Sequence, residues 1–227
     1  NVLTYVWINP VTDRMYDGDR LDEFLNKHGF LRVYCREDWG NAVRKKYREL
    51  SEHMGAASEK EIGPRESGPR ENGSREAEVV ADVRCPAVEK LLRETDHPGL
   101  TVPAIEPILL HCAREISGRE ELQGSFKVIT TPCLALAEAG NRLNLPETEF
   151  LPWNVFVRRL GEGLPGRKLE SSPIPPGFFG NPEETDVVTG PEAVESYLRE
   201  KRWKGVKMVE FLYCTGGCHG GDGVTGL

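Results

Sequence analysis

The residues of this chain best suited to chemistry are its cysteines, and four of the six recur at one kind of position. Cys85 and Cys133 each follow, within two residues, a short run rich in β-branched residues, "EVVADV" and "FKVITT". Cys214 directly follows "GVKMVEFLY", and Cys218 comes four residues later in "CTGGCHGGDG". Each run reads as a strand. In open parallel sheets, ligands bind beyond the carboxyl ends of the strands, so these four thiolates would meet at one rim. Four thiolates suit either a [4Fe–4S] cluster or a structural zinc ion. Zinc ribbons carry two close C-x2-C knuckles, and this chain has none. The glycines would let backbone wrap closely around a bulky inorganic centre and donate N–H bonds to it. The plain alternative is that Cys85 and Cys133 are small buried hydrophobes. Cys35 reads as structural, and Cys112, between His111 and Ala113 on a helix, as core. His219 stands beside the site, as an exposed loop residue or as a proton carrier.

Composition narrows the functions open to such a site. The chain has 227 residues, 38% hydrophobic and 29% charged, as expected of a soluble globular protein. A net charge of -7 argues against nucleic acid as the main partner, because phosphate binding needs a basic face. No apolar run reaches the ~20 residues of a membrane helix, which argues against membrane insertion. No signal peptide is visible, and the cysteines are not spaced as a secreted disulfide framework, which together place the chain in the cytoplasm. There thiolates serve more often as metal ligands or catalytic groups.

The elements that must position the cysteines alternate along the chain. "NVLTYVWI" reads as a strand, "PVTDRMYDG" as a turn, and "DRLDEFLNKHG" as a helix capped by Asp19 and stopped by Gly29. "FLRVYC" is a second strand, and "EDWGNAVRKKYRELSEHM" a second helix. Residues 1–54 therefore form a β-α-β-α N-terminal part of a first lobe, with parallel pairing and right-handed crossovers. Residues 55–76, with "GPRES", "GPREN" and "GSRE", cannot bury enough surface to offset their ordering entropy and read as a flexible insertion. Residues 77–227 hold the remaining strands and the helices "PAVEKLLRET", "PAIEPILLHCAREISG", "LALAEAGNRL", "PWNVFVRRLGEG" and "GPEAVESYLREKR". The expected fold is α/β, with two lobes of mainly parallel sheet flanked by helices and a cluster in the cleft between them.

The run from Glu210 through Cys214 and Cys218 to Gly223 resembles the third signature of the iron-only ([FeFe]) hydrogenase active-site domain. "TTPCLALAEA" resembles the second signature and "VRCPAVEKLL" the first, and the resemblance covers residues 77 to 223. It implies that Cys85, Cys133, Cys214 and Cys218 hold a [4Fe–4S] cluster, with Cys218 bridging to a diiron subsite where one is present. The departures are specific. Arg84 stands where the family has a proton-relaying cysteine, Leu136 where it has a lysine that holds a cyanide ligand, and Thr131 and Leu212 where it has methionines. Ligands of the cubane are kept and groups serving the diiron unit are lost. The expectation is a hydrogenase-like iron–sulfur protein, similar to the family's non-catalytic relatives, with one cluster used for electron transfer, redox sensing or cluster handling alongside a redox partner protein or larger complex. An active hydrogenase, hence an oxidoreductase with a diiron subsite, is the alternative. A zinc-stabilised interaction module comes third.

Overall fold

The computed structural model describes residues 3–60 and 78–226, of which residues 55–60 are described by their backbone alone. The first sheet is built from β1 (Thr4–Trp7), β2 (Phe30–Val33), β5 (Phe126–Thr131) and β6 (Thr148–Pro152) in the order β2-β1-β5-β6. The second is built from β3 (Val79–Ala81), β4 (Leu100–Thr101), β7 (Thr185–Thr189) and β8 (Met208–Leu212) in the order β4-β3-β8-β7. All pairings in both sheets are parallel. The chain is thus an α/β protein with two four-stranded parallel sheets flanked by helices.

Side-chain alternation along the strands gives each sheet two apolar faces. In the first sheet, Val6, Val128 and Leu151 pack with α1 (Pro10–Met15), α2 (Gly18–Lys27) and α7 (Trp153–Arg159) through Met15, Leu21, Phe24 and Phe156. Their neighbours Trp7, Ile129 and Phe150 pack the other way, against α5 (Ile108–Ser117) and α6 (Leu134–Asn141). In the second sheet, Ala81, Val209 and Phe211 pack with α4 (Pro86–Glu94) and α8 (Pro191–Glu200). Val80 and Met208 face α3 (Trp39–Lys60) through Val43 and Tyr47.

Several details differ from the sequence reading. The expected turn "PVTDRMYDG" contains the helix α1, because the Asn9 side chain accepts from the Thr12 N–H and Pro10 presets the first turn. Asp17, not Asp19, is the N-cap residue of α2. Helix α5 begins only at Ile108, after Pro103 and Pro107. Strands β4, β6 and β7 have no strand counterpart in the sequence reading. All three are edge strands, short and in part exposed, so their patterns are weak. Residues 1–54 supply β1 and β2 to the first sheet, but α3 packs on the second. Helix α3 runs to Lys60, so the reading of 55–76 as a flexible insertion is replaced by helix over 55–60; the rest of that span lies outside the described residues. No helix among the described residues is long and apolar enough to cross a membrane.

Candidate metal centre

In the first sheet the crossovers leave β1 and β5 in opposite directions, a switch point where parallel sheets open a crevice, and in the second sheet β3 and β8 are the central pair. Three of these central strands, β3, β5 and β8, lead into the cysteine segments. Cys85 follows β3 and caps the start of α4, and Cys133 follows β5 and caps the start of α6. Cys214 follows β8, and Cys218 begins a short 3-10 turn. One sheet therefore supplies Cys133 and the other supplies Cys85, Cys214 and Cys218.

Burial is the largest cause raising the pKa of each of the four thiols, and for Cys133, Cys214 and Cys218 the charge of neighbouring thiolates adds to it. Cys214 is pushed up to about 11 by burial and by Cys85. Cys218 is pushed up to about 12 by burial and Cys85, with Arg84 opposing. Cys133 rises through burial and the charges of Cys218, Cys85 and Cys214. Cys85 rises through burial, opposed by N–H bonds from Tyr213, Val88 and Ala87 to its sulfur. Four sulfurs that cannot all ionise unaided are a donor set whose repulsion a bound cationic centre relieves. All four are half-buried, whereas Cys112 is buried. Among the described residues, no three His, Cys, Asp or Glu are gathered to hold one metal ion.

The glycine-rich tail clamps these cysteines together. A Cβ on Gly221 would stand 2.3 Å from the Pro132 carbonyl oxygen, and one on Gly223 would stand 2.9 Å from the Cys133 nitrogen. The Gly223 N–H donates to the Pro132 carbonyl at 3.0 Å. Gly217 has φ +125°, and a Cβ there would lie 2.6 Å from Ser172 Oγ. So glycine is needed where the tail is pressed onto the Pro132–Cys133 peptide and onto Ser172. Sequence reasoning assigned the glycines to wrapping an inorganic centre; the contacts present are with backbone and a serine.

Several residues that hold the site had no assigned role in the sequence. Asp222 accepts from the Leu134 N–H at 2.9 Å, capping the helix that Cys133 starts. An Asp within a glycine run was the available signal. Asn154, at the start of α7, donates to the Asp222 and Gly223 carbonyls. Asp82 and Glu210, both 0% exposed, form ion pairs with Arg84. Arg84 also donates to the Pro175 carbonyl and lies 4.4 Å over the Phe179 ring. Glu210 accepts from the N–H groups of Gly177, Phe179 and Gly180. Ser172 Oγ lies 3.0 Å from His219 Nδ1 and accepts from the His219 N–H, so His219 is half-buried and engaged rather than an exposed loop residue.

Beside Cys218 lies a cavity of about 90 Å³ whose walls include Asn9, Arg84, Pro132, Leu136 and Ser172. Its polar lining groups are committed elsewhere: Asn9 to Thr12 and Thr130, Arg84 to its two carboxylates, and Ser172 to His219. Leu136 contributes only methyl groups and is 6% exposed.

Compared with known proteins, the chain matches no family model, no curated protein and no solved structure.

Proposed function

We propose that this chain is a hydrogenase-like iron–sulfur protein that holds one [4Fe–4S] cluster through Cys85, Cys133, Cys214 and Cys218. The observation that carries the reading is the placement of four half-buried thiols beyond the carboxyl ends of β3, β5 and β8, central strands of the two sheets. When bound, such a cluster takes up and returns single electrons. The chain's own part is to fix the thiolates. Helix starts at Cys85 and Cys133 place positive dipole ends at those sulfurs. The tail clamp holds Cys218 against the Cys133 segment. A zinc site is the weaker reading because the chain lacks the two C-x2-C knuckles that zinc ribbons carry.

Electron transfer, redox sensing or cluster handling with a partner protein is the role we assign to this centre, in a cytoplasmic setting. The alternative of a hydrogenase with a diiron subsite is disfavoured by the cavity beside Cys218. Arg84 and Ser172 are already engaged there, and Leu136 offers no donor. Infrared bands of bound carbon monoxide and cyanide, with hydrogen evolution from reduced viologen, would mark that alternative. The test of the ligand set is anaerobic reconstitution of single Ser replacements. Cys85→Ser, Cys133→Ser, Cys214→Ser and Cys218→Ser should each lose iron, because a serine oxygen is a harder and poorer ligand. Cys35→Ala and Cys112→Ala should retain it. Iron at the wild-type level in all four serine variants would refute the assignment.

A further inference from the structure

The two cysteines outside the candidate metal centre lie in one apolar cluster. Cys35 lies in the loop after β2, half-buried, and Cys112 lies on α5 at 6% exposure. The cluster lies beneath the loop after β2. The loop is fastened to α5 on both sides of Cys35. Arg119 donates to the Tyr34 carbonyl before it. After it, the Arg36 and Glu37 N–H groups donate to the Glu115 carboxylate, as does the Trp39 indole. Trp39 then stacks on His111 at 5.1 Å. Residues 112 and 115 lie on one face of α5 at i and i+3, and Arg119 follows just beyond its C-cap. The bonds at Glu115 and Arg119 therefore hold Cys35 over the turn that carries Cys112.

We propose that Cys35 and Cys112 form a second redox site, independent of the cluster cysteines, in which a low-molecular-weight disulfide reversibly converts the dithiol to a Cys35–Cys112 disulfide. Hydrogen bonding from Cys112 lowers the pKa of Cys35, with burial opposing, while Cys112 is raised. Together with its greater exposure, this makes Cys35 the attacking group. The Cys35 thiolate attacks one sulfur of the disulfide RSSR and expels RS⁻, leaving a mixed disulfide at Cys35. Cys112 loses its proton and attacks the Cys35 sulfur, forming the protein disulfide and expelling a second RS⁻. In sum, two protein thiols are oxidised and one RSSR is reduced to two RSH. Cys35 sits in a loop rather than in β2 itself, so a small loop movement can close the sulfurs to the roughly 2.05 Å of a disulfide bond. Cys112 also lines the cavity beside Cys218, so oxidation alters a wall of that cavity.

The test uses the whole chain, kept anaerobic and equilibrated with glutathione and glutathione disulfide at graded ratios. Thiols are then alkylated at low pH, and the peptides are identified by mass. At oxidising ratios a linked pair containing Cys35 and Cys112 should appear, and dithiothreitol should return it to free thiols. In Cys112→Ser, Cys35 should accumulate as the glutathione mixed disulfide, because nothing resolves it. In Cys35→Ser, the buried Cys112 should stay largely unmodified. Free Cys35 and Cys112 at every ratio in the unaltered chain would overturn the proposal, as would Cys35 linked instead to Cys85, Cys133, Cys214 or Cys218. The reading of the wild-type chain does not depend on either variant folding.

Discussion

Arg84 and Glu210 form a buried ion pair that ties the end of β3 to β8, with Asp82 as a second carboxylate on the same guanidinium. The hydrogenase resemblance places Arg84 where a proton relay would stand, and the structure gives it a different task. Its charge neutralises two carboxylates that water cannot reach. Restoring the family's pair of groups with Arg84→Cys and Leu136→Lys would therefore remove a counter-charge and bury an ammonium, instead of simply regaining a function.

Arg84→Met should destabilise the fold by about 3–5 kcal/mol, the usual cost of leaving a buried charge unpartnered. The loss should depend on pH in a defined direction. Burial already raises Asp82 to about 6, with Arg84 opposing. A carboxyl whose folded pKa is raised favours the folded state more as pH falls towards its unfolded pKa. Without Arg84 that rise is larger, so the gap between variant and wild type should narrow from pH 7 to pH 5. Denaturant melts at the two pH values check this; a gap that widens on acidification would contradict it.

The glycine tail makes a sharper claim about the cluster rim. Gly221→Ala and Gly223→Ala force a methyl group into the Pro132–Cys133 backbone. Each should cost about 1–3 kcal/mol, the range for overpacking a rigid site, and should lower the iron retained after reconstitution. Gly18→Ala is the control, since a Cβ there meets nothing within 4 Å and φ is not positive. It should be neutral or mildly stabilising. Thermal melts with iron analysis decide, and wild-type iron in both tail variants would remove the clamp from the account.

Glu115 should give part of the acid sensitivity. Burial acts to raise its pKa, but N–H bonds from Arg36, Arg119, Trp39 and Glu37 hold it down to about 2. A depressed carboxyl contributes stability above its unfolded pKa and loses it as pH falls towards the folded value. Glu115→Gln should cost about 2 kcal/mol at pH 7 and progressively less between pH 4.5 and pH 2. Acid unfolding curves of both proteins test this, and an unchanged difference across that window would contradict it.

The candidate site was more legible than the fold's edges. Cys85, Cys133 and Cys214 follow three of the four central strands, and those strands are buried runs such as Val128–Thr131, so hydrophobicity marked them. Strand β6 ends in Pro152 and β7 exposes Val187, so packing against one neighbour decides them and no local pattern does. The supports of the site stayed hidden for a related reason. Asp222 capping Leu134, and Glu210 paired with Arg84, join residues far apart in sequence. The placing of Cys35 and Cys112 in one cluster is likewise set by how the loop after β2 docks on α5.

Iron and acid-labile sulfide per chain, measured after anaerobic reconstitution of the unaltered protein, test the central claim most directly. The account predicts about four iron and four sulfide per chain, with a visible chromophore that bleaches on reduction. One zinc and no sulfide, or no bound metal in a folded chain, would contradict it.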